Sequence, residues 1–463
     1  MSPTSSEASV FERQFEALVA ALPSLVGPGF EWALEFRAEA SDFVRFNHAL
    51  VRQAGQVRRA LATLRLCQDS RHSAQQIALS GELSEDRARV AAALESLVQR
   101  MPGLAPDPFG RLETRPVRSR RVERGLGGAL AAGPSLGQAL PGEGARTLVH
   151  DVLTQARGSD LVGLLASGPR ARGVANSHGV LHWHEVDGFT LDFSLHHLGR
   201  AAKASMHGRD WSAERFAAQF ERLQLDHQRL ERPACAVQTG RVRAFLAPPA
   251  VDALLGLAAW GGFAASDRRS RRSPLQRLVD REVELSPRVT LWDDVRSSDA
   301  PAFNADGFER AAPLPLIEHG LDVGACCNTR TAIEFGLEQT GADGEQPEAL
   351  HMASGELAQE DVLRALGTGL YVNRLWYLNW SDRQSARSTG MTRFATWWVE
   401  NGVFRGPVEP VRFDDSLFQM LGANLEALTR DRETIADDST YDERSLRTAC
   451  VPGLLINDWR LVS

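Results

Sequence analysis

Residues 389–408 read Thr389-Gly-Met-Thr-Arg-Phe-Ala-Thr-Trp-Trp-Val-Glu400-Asn-Gly-Val-Phe-Arg-Gly-Pro-Val408. A strand rich in aromatic and β-branched residues runs up to Glu400. Asn401-Gly402 follows, a pair tolerant of positive φ and suited to a tight hairpin, and a short returning strand ends at Pro407. The stretch predicts antiparallel β structure. The segment just before it agrees: Tyr371-Val-Asn-Arg-Leu-Trp-Tyr-Leu-Asn-Trp380 alternates with period two. Tyr371, Asn373, Leu375, Tyr377 and Asn379 fall on one face, Val372, Arg374, Trp376, Leu378 and Trp380 on the other. Both faces are aromatic and partly polar, where a simple core strand would be polar on one side only. Tyr371, Asn373, Arg374, Trp376, Tyr377 and Asn379 are therefore candidates for a peptide groove or an interface; a strand buried on both sides is the plainer alternative.

From about Ala236 onward the chain reads as short strands and turns. Helices interrupt it near Val251–Trp260, Glu360–Leu366 and Ser416–Leu428. The N-terminal half reads differently. Phe11, Phe15, Leu18 and Leu22 make a helical stripe with Pro23 after it. Short strands follow at Trp32–Arg37, Phe43–Asn47, Leu61–Cys67 and Gln76–Leu79. Ser84 is a candidate N-cap for a helix carrying Val90, Leu94, Leu97, Val98 and Met101 on one face. Another amphipathic helix runs from Ser212 to about Glu231. The expected fold class is α+β in two domains: 1–232, strands with covering helices, and 233–463, β-rich and mostly antiparallel. A Pro/Gly/Arg-rich connector occupies about 102–146; its arginines suggest either an anion-binding patch or a solvated link.

The net charge of −7 and pI near 6.0 argue against nucleic acid as a partner. Five cysteines, an odd number without a Cys-x-x-Cys pair, suit a reducing compartment. The N-terminus has acidic residues in place of a signal-peptide pattern, and no apolar run is long enough for a membrane span. The expectation is a cytoplasmic protein without a membrane partner.

His182-Trp183-His184-Glu185 is the most tempting metal motif, because His182 and His184 share a strand face. No histidine follows Glu185 at helical spacing, so the helical zinc-hydrolase pattern is missing. The three residues stand as an alternative metal site. Gly133-Pro-Ser135-Leu-Gly137 matches the nucleophile-elbow pattern but lies in the connector, without its strand and helix. Cys326-Cys327 reads as two buried thiols, since adjacent cysteines rarely bridge.

Several passages together resemble the TldD/PmbA metallopeptidase family. The Thr389-Gly390 strand, the Glu400-Asn401-Gly402 turn and Pro407-Val408 resemble its signature. Asp415-Ser416-Leu417 to Asn424, Phe303 to Gly307, Pro315 to Gly320, Thr331-Ala332, Ser273-Pro274-Leu275, Val289 to Asp294 and Asn176-Ser177-His178-Gly179 resemble further family passages in the family's order. Catalytic members place a His-Glu-x-x-x-His helix where this chain has Leu254-Leu255-Gly256-Leu257-Ala-Ala-Trp260-Gly261. The two ligand positions are Gly256 and Gly261, and the general-base position is Leu257. None offers a lone pair or a proton. The family's C-terminal cysteine ligand has no convincing counterpart; Cys450 only lies in that region.

The resemblance implies a chain of the PmbA (TldE) type: a non-catalytic subunit that holds no cofactor itself and pairs with a TldD-like subunit carrying the zinc. It further implies a heterodimer, or a homodimer when alone, acting on small unfolded peptides such as leader segments of modified peptides. A stand-alone peptide-binding protein, or a peptidase using His182, His184 and Glu185, are the competing readings.

Overall fold

The computed structural model describes residues 8–126 and 143–463; the Gly133–Gly137 motif lies outside them. The chain forms two sheets. The first contains β1 (Glu31–Asn47), β2 (Leu50–Gln68), β3 (Arg71–Leu79), β4 (Arg118–Glu123), β5 (Leu161–Asn176), β6 (Leu181–His197) and β7 (Arg200–Gly208). Their order is β3-β2-β1-β5-β6-β4, with β7 also on β6. All pairings are antiparallel except β4 with β6. His48 and Ala49 both take positive φ, closing a two-residue hairpin between β1 and β2. Between β5 and β6, Asn176 Oδ1 accepts from the His178 and Val180 amides, as expected for an Asx-type turn.

Four helices cover one face of this sheet: α1 (Val10–Leu25), α2 (Leu83–Arg100), α3 (Glu143–Gln155) and α4 (Ala213–Leu230). Phe11, Phe15 and Leu18 of α1 pack on Leu34, Phe36 and Trp183. Phe216 and Phe220 of α4 pack on Phe189, Leu191 and Phe193. Strand alternation turns His182, His184 and Asp192 to the opposite face, which meets the second half of the chain.

The second sheet has eleven strands. They are β8 (Gly240–Leu246), β9 (Leu291–Asp293), β10 (Leu314–Glu318), β11 (Leu321–Asp322), β12 (Ala349–Met352), β13 (Gly369–Asp382), β14 (Arg387–Glu400), β15 (Val403–Pro407), β16 (Arg412–Ser416), β17 (Leu425–Ala436) and β18 (Thr448–Val462). The β8–β18 pairing closes β8, β13, β14, β16 and β18 into a ring. The helix α5 (Pro248–Gly262) packs its apolar side on that ring, against Val372, Leu375, Leu454 and Ile456.

The class is α+β, as expected, with several local differences. Strands β1 and β2 are far longer than the fragments read from sequence. Pro23 lies inside α1. The helix α2 starts at Leu83, not after Ser84, and the buried Asp86 carboxylate accepts from the Ser80 and Gly81 amides. The helix expected over Ser416–Leu428 is a single π-type turn, Gln419–Ala423, followed by β17; Gly422 leaves helical geometry at φ −105° and ψ −114°. The connector contributes β4. Of its arginines, Arg120 is ion-paired with Glu12, Arg121 with Glu123 and Arg124 with Glu185, while Arg111 and Arg118 are exposed. Among the described residues, no helix is long and apolar enough to cross a membrane.

Candidate functional site along an interrupted helix

Pro248 and Pro249 open α5, where their missing amide hydrogens cost nothing. Val251, Leu254, Leu255 and Ala258 bury one side. Asp252, Gly256 and Trp260, spaced by four residues, form the opposite, accessible stripe. The helix is broken at its end: Trp260 has ψ 88° and Gly261 φ 81°. Gly261 therefore does not continue the helical face that carries Gly256. Leu257 is buried against the core at 7% exposure. A side chain begun at Gly256 would meet Arg447 Nη2 first, 4.0 Å from its Cβ. A guanidinium there opposes a second cation by simple Coulomb repulsion. This helix thus offers no donor set for the family's zinc, and its residues do not fit that ion.

The seam between the two sheets, beside this stripe, is lined with charge. Arg447 reaches Asp252 at 3.7 Å and Asp437 at 3.6 Å. Lys203, on β7, contacts Asp192 at 2.9 Å and Asp438 at 3.6 Å. Burial raises the carboxyl pKa of Asp252, Asp192 and Glu433, opposed by Arg447, Lys203 and Arg374 respectively. None of Asp192, Lys203, Asp252, Glu433 and Arg447 emerged from motif reading. One signal was available: Lys203 is the single lysine among 52 basic residues.

The strand β13 borders the seam, but not with the even alternation expected. Register shifts fall between Val372 and Arg374 and between Trp376 and Asn379. Tyr377 and the facing-strand residue Phe394 have φ of 59° and 58°. Each bulge flips the side-chain parity. Leu370 and Val372 face the ring core, then Leu375, then Leu378 and Trp380. Of the expected groove residues, Arg374 and Trp376 do face outward: Arg374 Nη2 lies 3.3 Å from Ser205 Oγ, and Arg393 stacks 4.0 Å above the Trp376 ring. Tyr377 and Asn379 are exposed. Tyr371 is packed between Phe245 and Phe404, with its hydroxyl pKa pushed up to about 12 by burial. Asn373 donates to the Ala395 carbonyl across the bulge. Both are structural in this arrangement.

The His182, His184 and Glu185 set does not converge. His182 stacks on Phe303 and sits 3.1 Å from the Gly307 carbonyl oxygen; its other nitrogen is 2.7 Å from Ser119 Oγ. His184 Nε2 is 2.9 Å from the Asp299 carbonyl oxygen. Glu185 projects from the other face, to Ser9 and Arg124. Among the described residues, no group of three or more His, Cys, Asp or Glu could hold a metal ion. All five cysteines are free, and burial raises the thiol pKa of Cys326 and Cys327.

These features define a two-sheet α+β protein with a polar seam floored by an interrupted helix. Residues 239–463 match the PmbA/TldA metallopeptidase C-terminal domain. The fold is similar to TldE from Thermococcus kodakarensis (TM-score 0.74, 15% identity, covering 97% of this chain and 100% of that one). It is similar to a candidate modulator of a DNA gyrase from Thermotoga maritima MSB8 (TM-score 0.73, 14% identity, 98% and 100%). It is also similar to a candidate modulator of DNA gyrase from Bacteroides thetaiotaomicron VPI-5482 (TM-score 0.70, 15% identity, 98% of each chain). No curated protein matches. The C-terminal portion of the chain, residues 239–463, thus carries the C-terminal domain of the PmbA/TldA metallopeptidase family.

Proposed function

We propose that this chain is a zinc-less, TldE-type subunit of a TldD/TldE peptidase, acting in the cytoplasm on small unfolded peptides such as leader segments. The observation that carries the reading is α5, whose Gly256, Leu257 and Gly261 have no ligating or proton-transferring atom at the positions the family uses. The accessible seam, with Arg374 and Trp376 on its border, supports contact with an extended peptide. A homologous partner is a natural companion, since related surfaces are already close to self-complementary. Free cysteines throughout suit a reducing compartment.

Co-expression with TldD-like chains tests this. The expected result is co-purification and chelator-sensitive peptide cleavage that requires both chains. Cleavage at the same rate by the TldD-like chain without this one contradicts the proposal.

A further inference from the structure

A cavity of about 750 Å³ opens where α5 is interrupted, lined by Trp260 and four arginines. Three of those arginines are already spent on carboxylates: Arg271 on Asp280 at 2.6 Å, Arg272 on Asp267 at 3.1 Å and Arg277 on Glu282 at 3.2 Å. The fourth, Arg383, comes from the tip of the β13–β14 hairpin. Among the described residues it forms no ion pair with a carboxylate; its contacts are the Arg272 carbonyl at 3.5 Å and the Trp260 ring at 6.0 Å. Four cations against three anions leave the cavity one positive charge in excess, on a guanidinium whose hydrogen-bonding edge is largely unused.

Two further observations indicate that this arrangement is built. Trp260 is 58% exposed, on a helix whose valine and leucines are all buried. Its ψ of 88° turns the chain that follows it off the helical path. Gly261 is held at φ 81°, and a Cβ there would stand 2.6 Å from Asp267 Oδ2 and 2.9 Å from Arg383 Nη2. A side chain at 261 would displace the Asp267 carboxylate and the Arg383 guanidinium together. The position where catalytic relatives are expected to hold a ligand is thus filled by a carboxylate and a guanidinium of the chain itself.

We propose that this cavity is a carboxylate-binding site for peptides: Arg383 takes the carboxylate through its paired N–H groups, and the Trp260 face covers the adjoining residue. A planar guanidinium matches a carboxylate with two parallel hydrogen bonds, and an indole face accepts both the cation and apolar side chains. The proposal rests on the peptide-handling reading above for its ligand class. The carboxylate can be the C-terminus of the peptide or an acidic side chain.

Fluorescence anisotropy of the full chain, without partner, tests it with three short labelled peptides of one sequence: a free acid, its C-terminal amide, and an amide with one internal aspartate. The free acid, the aspartate peptide or both are expected to bind about tenfold or more tightly than the plain amide. The pattern tells the two sources apart. Arg383→Met removes the difference and Trp260→Ala weakens all three, whereas Arg271→Met, at an arginine already paired, leaves the preference in place. Circular dichroism confirms that each variant is folded. Equal binding of all three peptides, or a preference that survives in Arg383→Met, overturns the proposal. Because no partner is present, such a failure leaves partner-dependent cleavage to be judged separately.

Discussion

The carboxylate-free arginine at the end of α5 and the histidines of β6 present opposite solutions to placing chemistry-bearing side chains between two sheets. On β6, His182 and His184 are buried, and both His182 nitrogens and His184 Nε2 meet carbonyl or hydroxyl oxygens of neighbouring segments. The hydrogen bonds from His182 and His184 to the Gly307 and Asp299 carbonyls dock the second half of the chain onto the first sheet. Along one stripe of α5 the surface is accessible, the ion pairs of Arg447 are long, and Arg383 has capacity to spare. Burial against fixed backbone acceptors, rather than residue type, separates docking surface from candidate site.

The largest expected effect lies on the docking side. Arg444 is 3% exposed and donates to the Gly168 and Gly188 carbonyls, while its amide meets Glu39. Arg444→Met leaves those buried carbonyls without their donor and is expected to lower unfolding free energy by about 3–5 kcal/mol in denaturant titrations. A loss below about 1 kcal/mol breaks the contrast with α5.

Acid acts next. Burial depresses the His184 pKa from its ordinary value to about 4, with Arg121 and Arg172 adding to the effect and the Asp299 carbonyl opposing it. The unfolded chain takes up this proton near pH 6.5, the folded chain only near 4. Stability is therefore full above pH 6.5 and falls as pH drops through that window, by roughly 2–4 kcal/mol from this group. The difference in denaturation midpoint between pH 7.5 and 4.5 should shrink in His184→Gln. An unchanged pH dependence removes His184 from the docking role.

Lys203 gives a smaller effect. Its ammonium meets Asp192, Asp438 and the Phe394 face from three directions. A planar guanidinium does not match that arrangement. Lys203→Arg is expected to cost about 1 kcal/mol in thermal or denaturant unfolding despite keeping the charge. The smallest effect belongs to the accessible stripe: Trp260→Ala should change stability by less than about 0.5 kcal/mol, whereas Leu254→Ala, on the buried side of the same helix, should cost about 2–5. Similar losses at the two positions would erase the distinction between the faces of α5.

Much of the fold was legible from periodicity and turn chemistry. Asn401-Gly402 does form the β14–β15 hairpin turn, with φ 53° and 75°, and Phe11, Phe15, Phe216 and Phe220 are core residues. What escaped depends on long-range geometry. The bulges of β13 invert alternation without a glycine or proline to mark them. Gly422 ends a helical stretch that local propensity favoured. Asp192, Lys203, Glu433 and Arg447 come together across the sheets from four separate strands and loops, a juxtaposition that no local spacing encodes. His182-Trp-His184-Glu185 misled for the same reason, since their partners are backbone carbonyls more than a hundred residues away.

The zinc content of the purified full-length chain, measured by mass spectrometry after equilibration with zinc and removal of excess, probes α5 most directly when paired with a peptide-hydrolysis assay on the same sample. Zinc well below one per chain, with no hydrolysis until a TldD-like chain is added, is the expected result. One zinc per chain together with chelator-sensitive cleavage by this polypeptide alone would contradict the account.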